Sequence, residues 1–305
     1  VDQICQRRSQ GTLECLIVGG RKGTLARESV VQDSPFFVAT DIRTISSNQR
    51  GSLTLISQAS HFEAAWLDEV YPGAIERRAE HLYDRTQKRV EVVEIERFGD
   101  LVLTEEKSKE FDPKASGVSL AKAWREEWLT LPLFDHRVQQ LLLRIALLTA
   151  HQPELKVVPI DDDLIEKIIG RALKGERLGK EAQKKPLLPY FKEHLSKEAR
   201  EWLAELYPDS FVWIDGKARK IVYHVPKKKS GGENVEALLN VTITECFKLD
   251  EHPTLGDGAV PITLIMSVPK GKELARTTDW PGFKIREYPS LKSRWKLKHP
   301  TVTWL

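Results

Sequence analysis

The residues best suited to chemistry lie close together near the C-terminus. Within residues 277–304, six cations (Lys284, Arg286, Lys292, Arg294, Lys296 and Lys298) are interleaved with the rings of Trp280, Phe283, Tyr288, Trp295 and Trp304. Cations meet phosphates and rings meet bases, so the combination suits a nucleic-acid strand. The same pattern also describes a terminal helix that anchors its rings in a core and solvates its lysines, the commoner use of a charge run. On a helix, Lys292, Lys296 and His299 share one face while Leu291 and Trp295 turn elsewhere. The rings are therefore expected to pack, which leaves Lys292, Arg294, Lys296 and Lys298 as candidate strand contacts.

Two further basic patches stand out. Arg21, Lys22 and Arg27 lie in or beside the first inter-strand loop of a β-rich region, and Lys227, Lys228 and Lys229 form a loop tip in PKKKSGGE. Catalytic patterns are missing from the sequence. A phosphate-cradling loop needs GxxxxGK[ST], and no such run occurs. Residues 19–24, GGRKGT, have glycines and a lysine in the wrong order and sit between strands. No Asp-Glu-x-His run follows a strand. Consecutive side chains point in different directions, so residues 161–163, DDD, read as a helix cap and not as a metal site. Cys5, Cys15 and Cys246 lack CxxC spacing, and His224 has no nucleophile motif near it. No catalytic, cofactor or metal site is expected.

The elements that must position these residues fall into three stretches. Residues 12–104 carry strand patterns at TLECLIV, PFFVATDIR, SLTLISQ, RVEVVEIERF and LVLT, with helical spacing over 61–70. Five to seven short strands with one helix between them suit a small barrel of the OB type, whose loops border an oligonucleotide face. A charged linker is expected over 105–119. Helical periodicity follows at Leu120, Trp124, Trp128 and Leu131, then from Val138 to Leu148, from Leu164 to Ala172 behind the acidic cap, and behind a Ser196 cap. Gly175 reads as a helix stop. Strands return at FVWID, KARKIVYHV, NVEALLNVTITECFKL and AVPITLIMSV, ahead of the basic block. The expected organisation is α+β: an OB-like barrel over 1–104, a linker and helical segment over 105–208, and a C-terminal α+β domain with an antiparallel sheet over 209–305.

Composition bounds the partners. The chain has 305 residues, 30% charged and 41% hydrophobic, with a net charge of +3. Nucleic-acid binding must then rest on local patches and not on bulk charge. No apolar run is long enough to span a bilayer, and residues 1–9 lack the apolar core of a secretory signal, so a cytoplasmic protein with no membrane partner is expected. The chain starts at Val1 in mid-pattern, which reads as a piece cut from a longer protein.

The residue order of the terminal block is similar to the C-terminal signature of the HrpB-type family of bacterial ATP-dependent helicases of the DExH class. The residues that carry the resemblance are Thr277, Asp279, Gly282, Phe283, Tyr288, Pro289, Arg294, Lys298, His299, Pro300 and Trp304. Trp280-Pro281 before the glycine, Lys284 after the phenylalanine and Trp295 in place of a tyrosine depart from it. The resemblance extends to Tyr83-Asp84, Arg89-Val90 and the segments 20–25, 35–39 and 99–103. It implies an accessory region of a helicase that moves along single-stranded RNA or DNA, with ATP and magnesium held by motor domains preceding Val1. It implies no ATPase in this chain. The competing expectation is a protein-interaction module that docks on a helicase core or another partner.

Overall fold

Alternation of apolar and polar residues governs the first strands. β1 (Ile4–Arg7), β2 (Glu14–Ile17), β3 (Arg21–Leu25), β4 (Phe36–Ser47) and β5 (Gly51–His61) send every second side chain inward. Cys5, Cys15, Ile17, Leu25, Phe37, Ala39 and Ile56 fill the space they enclose. The strands close into a barrel in the order β1-β2-β3-β5-β4, with β4 returning to β1. Every neighbouring pair is antiparallel except β3 and β5, which run parallel. Gly23 points inward, where a Cβ would press on Ile56 and Ile17 at 3.1 and 3.2 Å. Its missing side chain lets β3 sit tightly over the core.

The computed structural model describes residues 3–47, 51–226, 235–269 and 271–304. The chain divides into two compact units, Val1–Leu120 with Lys174–Gly179, and Ala121–Leu173 with Lys180–Leu305. Among the described residues no helix is long and apolar enough to cross a membrane.

The first unit holds more than the barrel. After a short helix α1 (Trp66–Val70), β6 (Ile75–Asp84), β7 (Arg89–Phe98) and β8 (Leu101–Lys107) form a separate antiparallel sheet. A second apolar cluster of Ile4, Phe36, Phe62, Leu67, Phe98, Leu101 and Leu103 joins this sheet to the outside of the barrel. Two details differ from expectation. The first strand begins at Ile4, ahead of the strand patterns read from residue 12, because the four residues of β1 pair with both β2 and β4. His61, expected to open a helix, ends β5, where it lies opposite Phe37.

Helices follow. α2 (Pro113–Arg125) begins inside the stretch expected to be a linker. Proline presets the first turn, and the Asp112 carboxylate accepts the Lys114 amide at 2.8 Å. The helix ends before Trp128 and Leu131, with Glu127 in the left-handed region at φ 61°. α3 (His136–His151) is capped by Asp135, α4 (Asp162–Ala172) by Asp161 and α7 (Lys197–Leu206) by Ser196, the last two as the sequence indicates. α4 stops at Ala172, three residues ahead of the expected Gly175, which takes φ +85°. Two short helices, α5 (Gly179–Ala182) and α6 (Leu188–His194), have no counterpart in the sequence reading.

The terminal sheet comprises β9 (Ser210–Val212), β10 (Ala218–His224), β11 (Glu236–Thr242), β12 (Thr254–Leu255), β13 (Val260–Ser267) and β14 (Glu273–Thr277), with a one-turn helix α8 (Ile243–Cys246) after β11. Its order is β12-β13-β11-β10-β9, and β14 also pairs with β13. The sheet is mixed, where an antiparallel one was expected, because β11 and β13 run parallel. The chain between Thr242 and Val260, passing through α8 and β12, is long enough for the crossover that a parallel pair requires.

Buried polar residues of α3 hold the strands in place. Gln140 exchanges two 2.8 Å hydrogen bonds with the backbone of Tyr223, satisfying groups on β10 that β9 is too short to reach. Arg144 donates to the carbonyls of Tyr207 and Leu203 and pairs with Asp209.

Candidate nucleic-acid interface

The terminal block folds as two helices, α9 (Trp280–Arg286) and α10 (Tyr288–Lys298). Asp279 starts α9 by accepting the Gly282 amide at 2.9 Å, and it also takes the Arg286 guanidinium at 2.8 Å. A Cβ on Gly282 would collide with the Asp279 carboxylate and with Arg286, so glycine is what the cap requires there. His252 lies beneath. Its Nδ1 accepts the Trp280 amide at 3.0 Å, so Nε2 carries the proton and donates to the Ile262 carbonyl at 2.8 Å. Burial pushes the His252 pKa down, against the Ile262 carbonyl and Asp279, which favour the charged form.

The rings form one continuous packed chain. Trp280 meets Phe247 and Phe283, Phe283 stacks on Trp295 at 6.5 Å, and Trp295 touches Tyr288 and Trp304. Trp280, Phe283, Tyr288 and Trp295 are all buried. Trp304 closes the run by donating Nε1–H to the His299 carbonyl at 3.1 Å. The rings are core, as their spacing suggested, and leave no stacking platform in this block.

The four cations of α10 do not converge. Tyr288 and Trp295 mark the inward side. Lys292 and Lys296, four residues apart, share one flank, and Arg294 and Lys298 share the other, roughly 160° away at 3.6 residues per turn. Leu297 occupies the outward side and is 84% exposed. Among the described residues none of the four makes an ion pair, whereas Arg286 is held by Asp279 and Arg276 by Glu273.

The barrel patch is also divided by geometry. Arg21 and Lys22 are not in a loop; they open β3. Arg27 follows that strand and is exposed. Alternation puts Arg21 on the side of Gly23 and Leu25, facing the barrel's interior end, while Lys22 shares the outer face with Thr24. Only Lys22 of the three lines a groove of about 360 Å³, whose walls include Arg8, Glu14, Leu16, Thr24 and Leu53 from β2, β3, β5 and the loop after β1. Arg8 is held by Glu14 at 2.9 Å, and Lys22 has no ion pair among the described residues. Sequence reasoning missed Arg8, Thr24 and Leu53; the signal for them is the period-two alternation read in the register that joins β2, β3 and β5.

The turn that presents Lys22 is anchored. Gly19 and Gly20, at φ 90° and 75°, donate their amides to the Asp100 carboxylate at 2.9 and 2.6 Å. Burial raises the Asp100 pKa, but the amides of Gly19, Asp100 and Gly20 outweigh it and hold the carboxyl below its usual range. These amides form the only phosphate-like nest that GGRKGT offers, and a carboxylate of the chain already fills it. The turn also leads into a strand and not a helix, so these residues do not fit ATP. The side chains of Cys5 and Cys246 are buried, which pushes both thiols up to about 12. Lys227, Lys228 and Lys229 lie outside the described residues.

Residues 169–305 match the HrpB_C family, described as ATP-dependent helicase C-terminal. The terminal block that carries the resemblance falls inside that range. The fold of the whole chain is that found in the crystal structure of the E. coli DExH-box NTPase HrpB, at a TM-score of 0.70 and 17% identity, covering 100% of this chain and 37% of that one. A second crystal structure, of the Escherichia coli DEAH/RHA helicase HrpB, gives a TM-score of 0.66 and 16% identity, covering 99% of this chain and 37% of that one. The chain thus spans little more than a third of the proteins whose fold it shares. No curated protein matches the sequence.

Proposed function

We propose that this chain is an accessory C-terminal region of an ATP-dependent DExH helicase of the cytoplasm, and that its barrel guides a single strand of RNA or DNA. The observation that carries the reading is the barrel. Its order β1-β2-β3-β5-β4, with a parallel β3/β5 closure, is a Greek-key arrangement of the OB type. Its open groove lies on the β2–β3 face, where such barrels take oligonucleotides, and it contains the ammonium of Lys22, which makes no ion pair among the described residues. ATP and magnesium belong, in this reading, to motor domains preceding Val1.

This reading carries an expected salt dependence. Two groove cations, Lys22 and the shared Arg8, give roughly a sevenfold loss of affinity between 50 and 200 mM salt; contact by all seven cations named from the sequence would give roughly 900-fold. Fluorescence anisotropy of a labelled single-stranded 12-mer RNA measures this directly. Binding at 50 mM salt with the shallow dependence supports the reading. No binding at 50 mM sinks it.

A second reading is supported by the terminal helices. Ile285 and Leu297 are 76% and 84% exposed on helices rich in cations, as suits a face that docks on a helicase core or other protein. That module would bind no nucleic acid of its own.

A further inference from the structure

The barrel is nearly free of aromatic residues. Between residues 1 and 61 the sequence contains two, Phe36 and Phe37, and no Tyr or Trp. Phe37 is fully buried in the barrel core and Phe36 is buried against the second sheet of the same unit. The groove is walled by aliphatic carbon from Leu16 and Leu53, the Thr24 side chain, the Lys22 ammonium and the Arg8–Glu14 pair. Leu53 lies near the start of β5, whereas the exposed imidazole of His61 stands at that strand's far end and the exposed Trp66 comes only on α1 beyond it. Barrels that grip single strands ordinarily stack bases on rings, at roughly 1–3 kcal/mol per base. No ring of any kind lines this groove.

We infer that a strand in this groove is held by its sugar-phosphate backbone alone, with the bases turned outward, so that the barrel tracks a single strand without regard to sequence. Lys22 meets a phosphate, Arg8 shares its charge between Glu14 and the strand, and Leu16 with Leu53 gives the sugar edges an apolar floor. Outward bases suit a guide, because they stay free to be copied, paired or passed on. This inference rests on the reading of the barrel as a single-strand site, and its test separates the two.

The probes are a 12-mer of oligouridylate, a 12-mer of oligoadenylate and an abasic 12-mer with the same ribose-phosphate backbone, each titrated at 50 mM salt into the chain and into its Lys22→Glu variant. The expected result is three affinities within about twofold of one another, all lowered together by Lys22→Glu. An abasic strand that binds more than fivefold more weakly than oligouridylate overturns the inference while leaving the single-strand site standing, since one lost stack costs roughly 5- to 150-fold. Equal affinities untouched by Lys22→Glu overturn it by placing the contact elsewhere. Absence of binding by all three removes the site and the inference together. Melting temperatures of the two proteins within a degree or two show that the exposed substitution has left the fold intact.

Discussion

The barrel and the terminal helices handle the same ingredients in opposite ways. The barrel closes on itself through backbone hydrogen bonds around all five strands, so it needs few rings and keeps both of them buried. The outer face is then free to present Lys22 over a groove. α9 and α10 have no ladder to join. They are fastened by side chains alone, and five rings between Trp280 and Trp304 do the fastening. Cations on such helices go wherever the rings are not, which here means two separate flanks. Ring density near positive charge therefore marks attachment in this molecule, and the ring-poor element is the better candidate for strand contact.

The largest effect expected from breaking that contrast is at Trp280. It is fully buried and touches both Phe247 and Phe283, so Trp280→Ala should cost about 3–5 kcal/mol in chemical unfolding. The loss should appear in the unit that contains the terminal sheet, with the barrel's own unfolding unchanged. A cost below about 1 kcal/mol would show that the rings do not fasten the helices.

A smaller substitution tests the cap. Glycine to alanine within a helix normally stabilises by about 0.5–1 kcal/mol. Gly282→Ala should do the reverse, because the added Cβ displaces the Asp279 carboxylate, and a lost cap costs about 1–2 kcal/mol. Stabilisation by Gly282→Ala would contradict the geometry described for the signature glycine.

Acid should separate the two regions as well. The folded pKa of His252 is depressed by burial, so below the ordinary value near 6.5 the unfolded chain takes up a proton that the folded chain refuses. The terminal unit should therefore lose stability as pH falls from about 6.5. Asp100 has a depressed carboxyl pKa; its contribution is present above about pH 4 and is lost only as pH falls further. Thermal melts between pH 7 and 5 should show the terminal unit weakening before the barrel, and His252→Gln should flatten that trend.

Much of this was legible in the sequence. Asp161 and Ser196 were readable as caps because a carboxylate or hydroxyl before an apolar period has one common use. The packing of Trp280, Phe283 and Trp295 followed from helical spacing, and the order of Asp279, Gly282 and Phe283 pointed to a family. Other features depend on what the chain meets in space. β1 is four residues long and is stabilised by two partners, its neighbour β2 and the more distant β4. The parallel pairing of β11 with β13 is decided by a crossover, not by either strand's own pattern. Arg21 and Lys22 look equivalent side by side in the chain, yet strand alternation sends them to different faces. The α10 cations look like one patch in the linear sequence, and the inward pull of Tyr288 and Trp295 splits them.

The smallest expected effect is therefore on α10, and it frames the most direct test of the account. Affinity for a single-stranded 12-mer RNA at 50 mM salt should be compared between Lys22→Glu and the double variant Lys292→Glu with Lys296→Glu. Reversing a contacting charge in the groove should weaken binding by about tenfold or more, equivalent to about 1.4 kcal/mol. The α10 double variant, on a flank with no stacking surface beside it, should weaken binding by less than about twofold. A large loss from the α10 variant with an intact response at Lys22→Glu would contradict the assignment of the strand site to the barrel.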